Sequence, residues 1–73
     1  MRIGIVNDTP MAIEGLRRVI QGSRAHEIVW TAMSGREALE YCAVDRPDLV
    51  LMDIIMLERT GVETTRLILQ LPP

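Results

Sequence analysis

The sequence predicts an α/β fold, a parallel sheet with flanking helices, and three observations carry that prediction. Apolar runs of strand length alternate with amphipathic stretches of helix length in the order β-α-β-α-β-α, which right-handed crossovers wind into a parallel sheet. Leu49-Val50-Leu51-Met52, four consecutive apolar residues after the turn signal Pro47-Asp48, suits a strand covered on both faces. Two strands end in acid: that run stops on Asp53, and Ile3-Gly4-Ile5-Val6 is followed by Asn7 and Asp8. Ligands of open parallel sheets bind at the carboxyl edge, so both acids are site candidates.

In order along the chain, Ile3–Val6 is the first strand. Thr9-Pro10 opens the first helix, with Thr9 as N-cap and Pro10 at the first helical position. That helix runs from Pro10 to about Ile20, with Ala12, Ile13, Leu16, Val19 and Ile20 on one apolar stripe and Glu14, Arg17 and Arg18 mainly off it. Gly15 weakens it by roughly 1 kcal/mol relative to Ala. Gln21-Gly22-Ser23-Arg24 ends the helix, and Ile28-Val29-Trp30-Thr31-Ala32 is β-branched and aromatic enough for a second strand. Ser34-Gly35-Arg36-Glu37 matches a capping box, in which hydroxyl and carboxylate each satisfy an unpaired amide. The second helix turns Ala38, Leu39, Cys42 and Ala43 inward and stops near Asp45, because Pro47 forbids continuation. After the third strand, Thr60-Gly61-Val62-Glu63 repeats the capping-box pattern before a third helix with Val62, Thr65, Ile68 and Leu69 inward. Two topologies stay open at this level. Adjacent first and third strands would bring Asp8 and Asp53 to one crevice; a second strand between them would part the acids. The placement of the acids favours adjacency.

Composition bounds the function. Seventy-three residues make one small domain with a marginal core, and 48% hydrophobic content with no Phe, one Trp and one Tyr builds it from Ile, Val, Leu, Met and Ala. A net charge of −2, with both signs spread along the chain, leaves no basic footprint for nucleic acid and no polybasic patch for a membrane. A lone cysteine excludes an internal disulfide and a cysteine-rich zinc cage. The N-terminus has neither a signal peptide's apolar core nor a spanning segment, so the chain reads as cytoplasmic.

Two carboxylates at one crevice repel unless a cation lies between them. Magnesium resolves that conflict, since it accepts one or two carboxylates plus a phosphate oxygen and keeps several waters. An aspartate can also attack a phosphoryl group while a metal neutralises the transferred oxygens, and the product here would be an acyl phosphate on Asp53.

The first strand ending in an Asp, the third in Asp53-Ile54-Ile55-Met56, and Gly61 opening the next helix resemble the receiver domain of two-component response regulators. More narrowly, the stretches Met1–Asp8, His26–Trp30 and Asp48–Asp53 look like the N-terminal receiver of chemotaxis-type protein-glutamate methylesterases. The resemblance spans essentially all of the chain. It implies a flavodoxin-like sheet of strand order 2-1-3, phosphorylated on Asp53 by a histidine kinase. It also implies Mg2+ held by Asp8, Asp53 and the backbone carbonyl of Ile55, with Asn7 in indirect contact. A C-terminal methylesterase in the parent chain would be the regulated effector. The helix bearing Arg17 and Arg18 would touch the kinase.

Several positions depart from that pattern. Asn7 stands where many receivers carry a further acid, which predicts weaker metal binding. Leu57 replaces the usual proline, Thr60 a frequent Asp or Asn, and Glu58 and Arg59 are unusual there. A receiver has five β-α units and this chain has three, so residues 1–73 read as a truncated receiver. The phosphoryl-contacting Ser or Thr and Lys of the later units are not among them. The third strand, normally central, then becomes an open edge, and we expect self-association or pairing through it.

Other residues have plainer roles. His26 reads as solvent-facing, Cys42 as a small core residue, and Met33, Met52 and Met56 as packing at strand ends. Trp30 packs in or beside the sheet. No Ser-His-Asp arrangement for ester hydrolysis is present, and His26 is badly placed for acid-base chemistry. The alternative to a phosphoacceptor is a phosphorylation-independent interaction module that uses the open edge or the first helix.

Overall fold

The computed structural model describes residues 1–53 and 62–71. Its elements are β1 (Arg2–Val6), α1 (Pro10–Gln21), β2 (Glu27–Ala32), α2 (Gly35–Val44), β3 (Leu49–Met52) and α3 (Val62–Leu69). The three strands form a parallel sheet in the order β2-β1-β3, so β1 is central and β3 its direct neighbour. Adjacency of the acid-ended strands, the topology favoured by the sequence, is the one realised.

Each face of the sheet has its own core. Ile3 and Ile5 of β1 point to α1, where they pack with Ile13 and with the half-buried Leu16, Ile20, Ile28 and Leu51. Val6, Trp30 and Ala32 point the other way, against Ala38 and Cys42 of α2 and Ile68 of α3. Strict alternation would send Ile28 and Trp30 to the same face. They part because the register slips between Ile3 and Gly4: Ile3 pairs with Ile28 but Gly4 with Trp30, leaving Val29 as the extra residue of a β-bulge. The bulge lays the indole over Gly4, where an added Cβ would lie 2.6 Å from the ring.

The helix starts differ in chemistry. At α2 the Ser34 hydroxyl accepts the Glu37 N–H at 3.1 Å, as the capping box requires, but the Glu37 carboxylate accepts from Met33 N–H, one residue before the cap. At α1, Thr9 is the N-cap but makes no side-chain cap hydrogen bond; Pro10 at the helix start removes one donor that would need capping.

Five packing assignments are corrected. Val19 is 76% exposed, because Ile13, Leu16 and Ile20 fill the contact with the sheet and Val19 lies about 100° round the helix from Ile20. Leu69 is 71% exposed and Thr65 exposed, since α3 reaches the core through Ile68. Ala43 and Met33 are also exposed, Ala43 because Ala38 and Cys42 take the inward direction of α2 and Met33 because it follows the last paired residue of β2. The expectations for Ile55, Met56, Leu57, Glu58, Arg59, Thr60 and Gly61 lie outside the described residues, as does that for the Val62 side chain.

Candidate functional site

The carboxyl edge of the sheet is pinned by its backbone. Beyond the last register pairs, Val6–Met52 and Val6–Ala32, Asp53 donates its N–H to Val6 O at 3.1 Å and Asn7 donates to Ala32 O at 3.0 Å. Asp53 is thus held one step past β3, beside the turn from β1 into α1. A depression opens there, lined by Asn7, Leu16, Leu51, Met52 and Asp53. Its apolar floor comes from Leu51 and Met52 of β3 and Leu16 of α1, and its polar rim from Asn7 and Asp53, which follow β1 and β3. Asp53 is half-buried, whereas Asp8 is exposed on the β1–α1 turn, where its Oδ1 accepts a long 3.4 Å hydrogen bond from the Thr9 hydroxyl. Asn7 Oδ1 accepts the Thr9 N–H at 2.8 Å, an Asx turn that shapes this corner.

The opposite edge is a purely structural clamp. Arg2 pairs with Asp45 and donates to Arg46 O at 2.9 Å; its backbone and Asp48 exchange two hydrogen bonds, Arg2 N–H to Asp48 Oδ2 at 2.9 Å and Asp48 N–H to Arg2 O at 2.8 Å. The hydrogen bond that the Arg2 guanidinium donates to the Asp45 carboxylate holds Arg2 above its usual pKa. Trp30 Nε1 donates to Asp45 O at 2.9 Å, and its ring stacks on Tyr41 with centroids 5.7 Å apart. This clamp fixes where β3 starts relative to β1, and hence which residue of β3 reaches the far edge. Sequence reading did not single out Arg2 or Gly4. A glycine amid apolar strand residues is a signal for close approach, but its partner Trp30 is not readable from spacing.

Arg17 and Arg18 lie on the outer side of α1, each 3.7 Å from Glu14. Such exposed pairs contribute little and exchange readily. His26 is exposed, as expected. Cys42 is buried, and that burial pushes its thiol pKa up, which disfavours the reactive thiolate.

The donor set suits a hard dication. Among the described residues no three His, Cys, Asp or Glu side chains gather, so any metal here would rely on Asp8, Asp53, backbone oxygen and water. Magnesium accepts that combination; zinc would ask for more nitrogen or sulfur.

Three parallel strands in this order, with an aspartate following two neighbouring ones, accord with a receiver domain, and the chain belongs to the response regulator receiver domain family, whose model matches residues 3–73. Within that family its likeness is to one kind of protein. It is 53% identical over 73 residues to a protein-glutamate methylesterase/protein-glutamine glutaminase of Pseudomonas aeruginosa and 52% to one of Mesorhizobium japonicum, covering 100% of this chain and 22% of each relative. It also superposes on the crystal structure of the response regulator domain of Thermotoga maritima CheB with a TM-score of 0.89 at 30% identity, covering 100% of this chain and 55% of that one. The chain thus resembles the receiver portion of these proteins, and it spans about a fifth of the length of the curated relatives it matches. No described helix is long and apolar enough to cross a membrane.

Proposed function

We propose that this receiver accepts a phosphoryl group on Asp53 from a histidine kinase, in a magnesium-dependent reaction, and thereby regulates a protein-glutamate methylesterase carried by the longer chain. The observation that carries the reading is the pairing of the two acid-ended strands, with Asp53 pinned through its N–H to Val6 O. In the transfer, an Asp53 carboxylate oxygen attacks phosphorus, the new O–P bond forms, and the N–P bond to the kinase histidine breaks. The imidazole nitrogen leaves with the bonding pair and takes up a proton. Asp8, Asp53 and the backbone carbonyl of Ile55 would hold Mg2+, which when bound neutralises charge on the transferred phosphoryl oxygens. The half-buried setting of Asp53 over Leu51 and Met52 limits water around the nucleophile, while the exposed side of the crevice admits a donor.

Residues 1–73 form one receiver unit in this reading, acting in the cytoplasm. Arg17 and Arg18 are its contact to the kinase, released from Glu14 on docking. The test is incubation with a small-molecule phosphodonor and Mg2+, followed by mass spectrometry. One added phosphoryl group mapped to Asp53, and lost in Asp53→Asn and on chelation of Mg2+, is the expected result. A folded protein that gains no phosphoryl group favours the interaction-module reading, for which the observation is that β3 is paired on one side only among the described residues.

A further inference from the structure

Asn7 stands one step beyond the Val6–Met52 pair, and it lines the depression together with Asp53. Its hydrogen bond to Thr9 fixes the orientation of the carboxamide, because a backbone N–H can only donate and only the side-chain oxygen can receive it. One lone pair of Oδ1 is thus occupied, while both Nδ2 hydrogens stay unspent among the described residues. The Asn7 carboxamide therefore keeps two donor hydrogens against one remaining Oδ1 lone pair to offer the crevice.

We propose that Asn7 serves the crevice as a neutral hydrogen-bond donor to the oxygen anions that gather at Asp53, and not as a further ligand for a cation. The inference rests on the reading of Asp53 as phosphoacceptor. A carboxylate in this place would draw a dication more strongly but repel phosphoryl oxygens; the carboxamide reverses both effects. Cation affinity is exchanged for oxyanion affinity.

The test uses the full natural chain with two probes, Mg2+ alone and fluoroberyllate, a phosphoryl mimic, at saturating Mg2+. Affinities are read by calorimetry and binding by the 1H–15N signals of the Asn7 carboxamide. Asn7→Asp keeps an oxygen for the Thr9 N–H and replaces the donor by a charge. It is expected to bind Mg2+ about ten-fold more tightly and fluoroberyllate more weakly. Asn7→Ser can still close the turn but lacks the amide donor. It is expected to hold Mg2+ within about two-fold of wild type and to lose about ten-fold in fluoroberyllate affinity. In the wild type the carboxamide signals should move when fluoroberyllate is added to the magnesium-loaded protein. If Asn7→Ser does not fold, those signals and Asn7→Asp carry the test. Unmoved carboxamide signals, an Asn7→Asp variant with unchanged Mg2+ affinity, or a folded Asn7→Ser variant with unchanged fluoroberyllate affinity would overturn the proposal alone. A wild type that binds neither probe would overturn the phosphoacceptor reading with it.

Discussion

Gly4 and Trp30 show how much one small residue can decide. The indole is 8% exposed, gives its N–H to Asp45 O and lies where a Cβ on Gly4 would sit 2.6 Å from the ring. Rigid backbone on one side and a hydrogen-bonded ring on the other leave little room to yield. Gly4→Ala should therefore cost about 1–3 kcal/mol, read as a lower denaturant midpoint at unchanged slope. In a Trp30→Leu background the same substitution should cost less by more than about 0.5 kcal/mol, because the two residues share one contact. Additive costs would mean that the glycine is needed for some other reason. Gly15 is the contrast: a Cβ there meets nothing within 4 Å, so its absence costs helix propensity without making room for anything inside the domain.

Among the elements, α1 and α2 begin with residues of similar capping propensity but draw on them differently. Ser34 accepts the Glu37 N–H, whereas the Thr9 hydroxyl turns to Asp8 and leaves the start of α1 to Pro10 and to the Asn7 turn. Ser34→Ala should cost about 1 kcal/mol, and Thr9→Ala clearly less. Thermal or urea unfolding of the two variants side by side measures this, and equal losses would contradict the division of roles. The arrangement leaves the β1–α1 corner shaped by the residues that border the crevice. Its geometry is tied to the site, while the start of α2 is tied only to the fold.

At the largest scale, the sheet of the described residues ends in an edge. β3 pairs with β1 on one side only among the described residues, and Leu49, at its start, is 42% exposed. Unpaired strand edges with apolar side chains recruit further strands. The 73-residue polypeptide by itself should therefore self-associate, seen as a concentration-dependent mass in size-exclusion chromatography with light scattering at micromolar concentration. A sharp monomer over that range would show that the edge is covered. The relatives extend well beyond the matched span, so in a longer chain the same edge can be closed within one molecule.

Element order, the α/β class and the carboxylates that end two strands are legible in the amino-acid sequence, because each rests on local signals: short apolar runs, a proline and serine at helix starts, and a proline that stops α2. Reading of the helix faces succeeded for Ile13, Leu16, Ile20, Ala38 and Cys42, where burial follows helical periodicity. It failed for Val19 and Leu69, since how wide a stripe is covered depends on what lies opposite. Other features emerge only from packing between elements. The register of β3 on β1, the bulge at Val29, the fit of Trp30 over Gly4 and the Arg2 clamp all join residues far apart in the chain. The physical reason is that register and close packing are set by shape between elements, and no spacing along one strand encodes the surface of its neighbour.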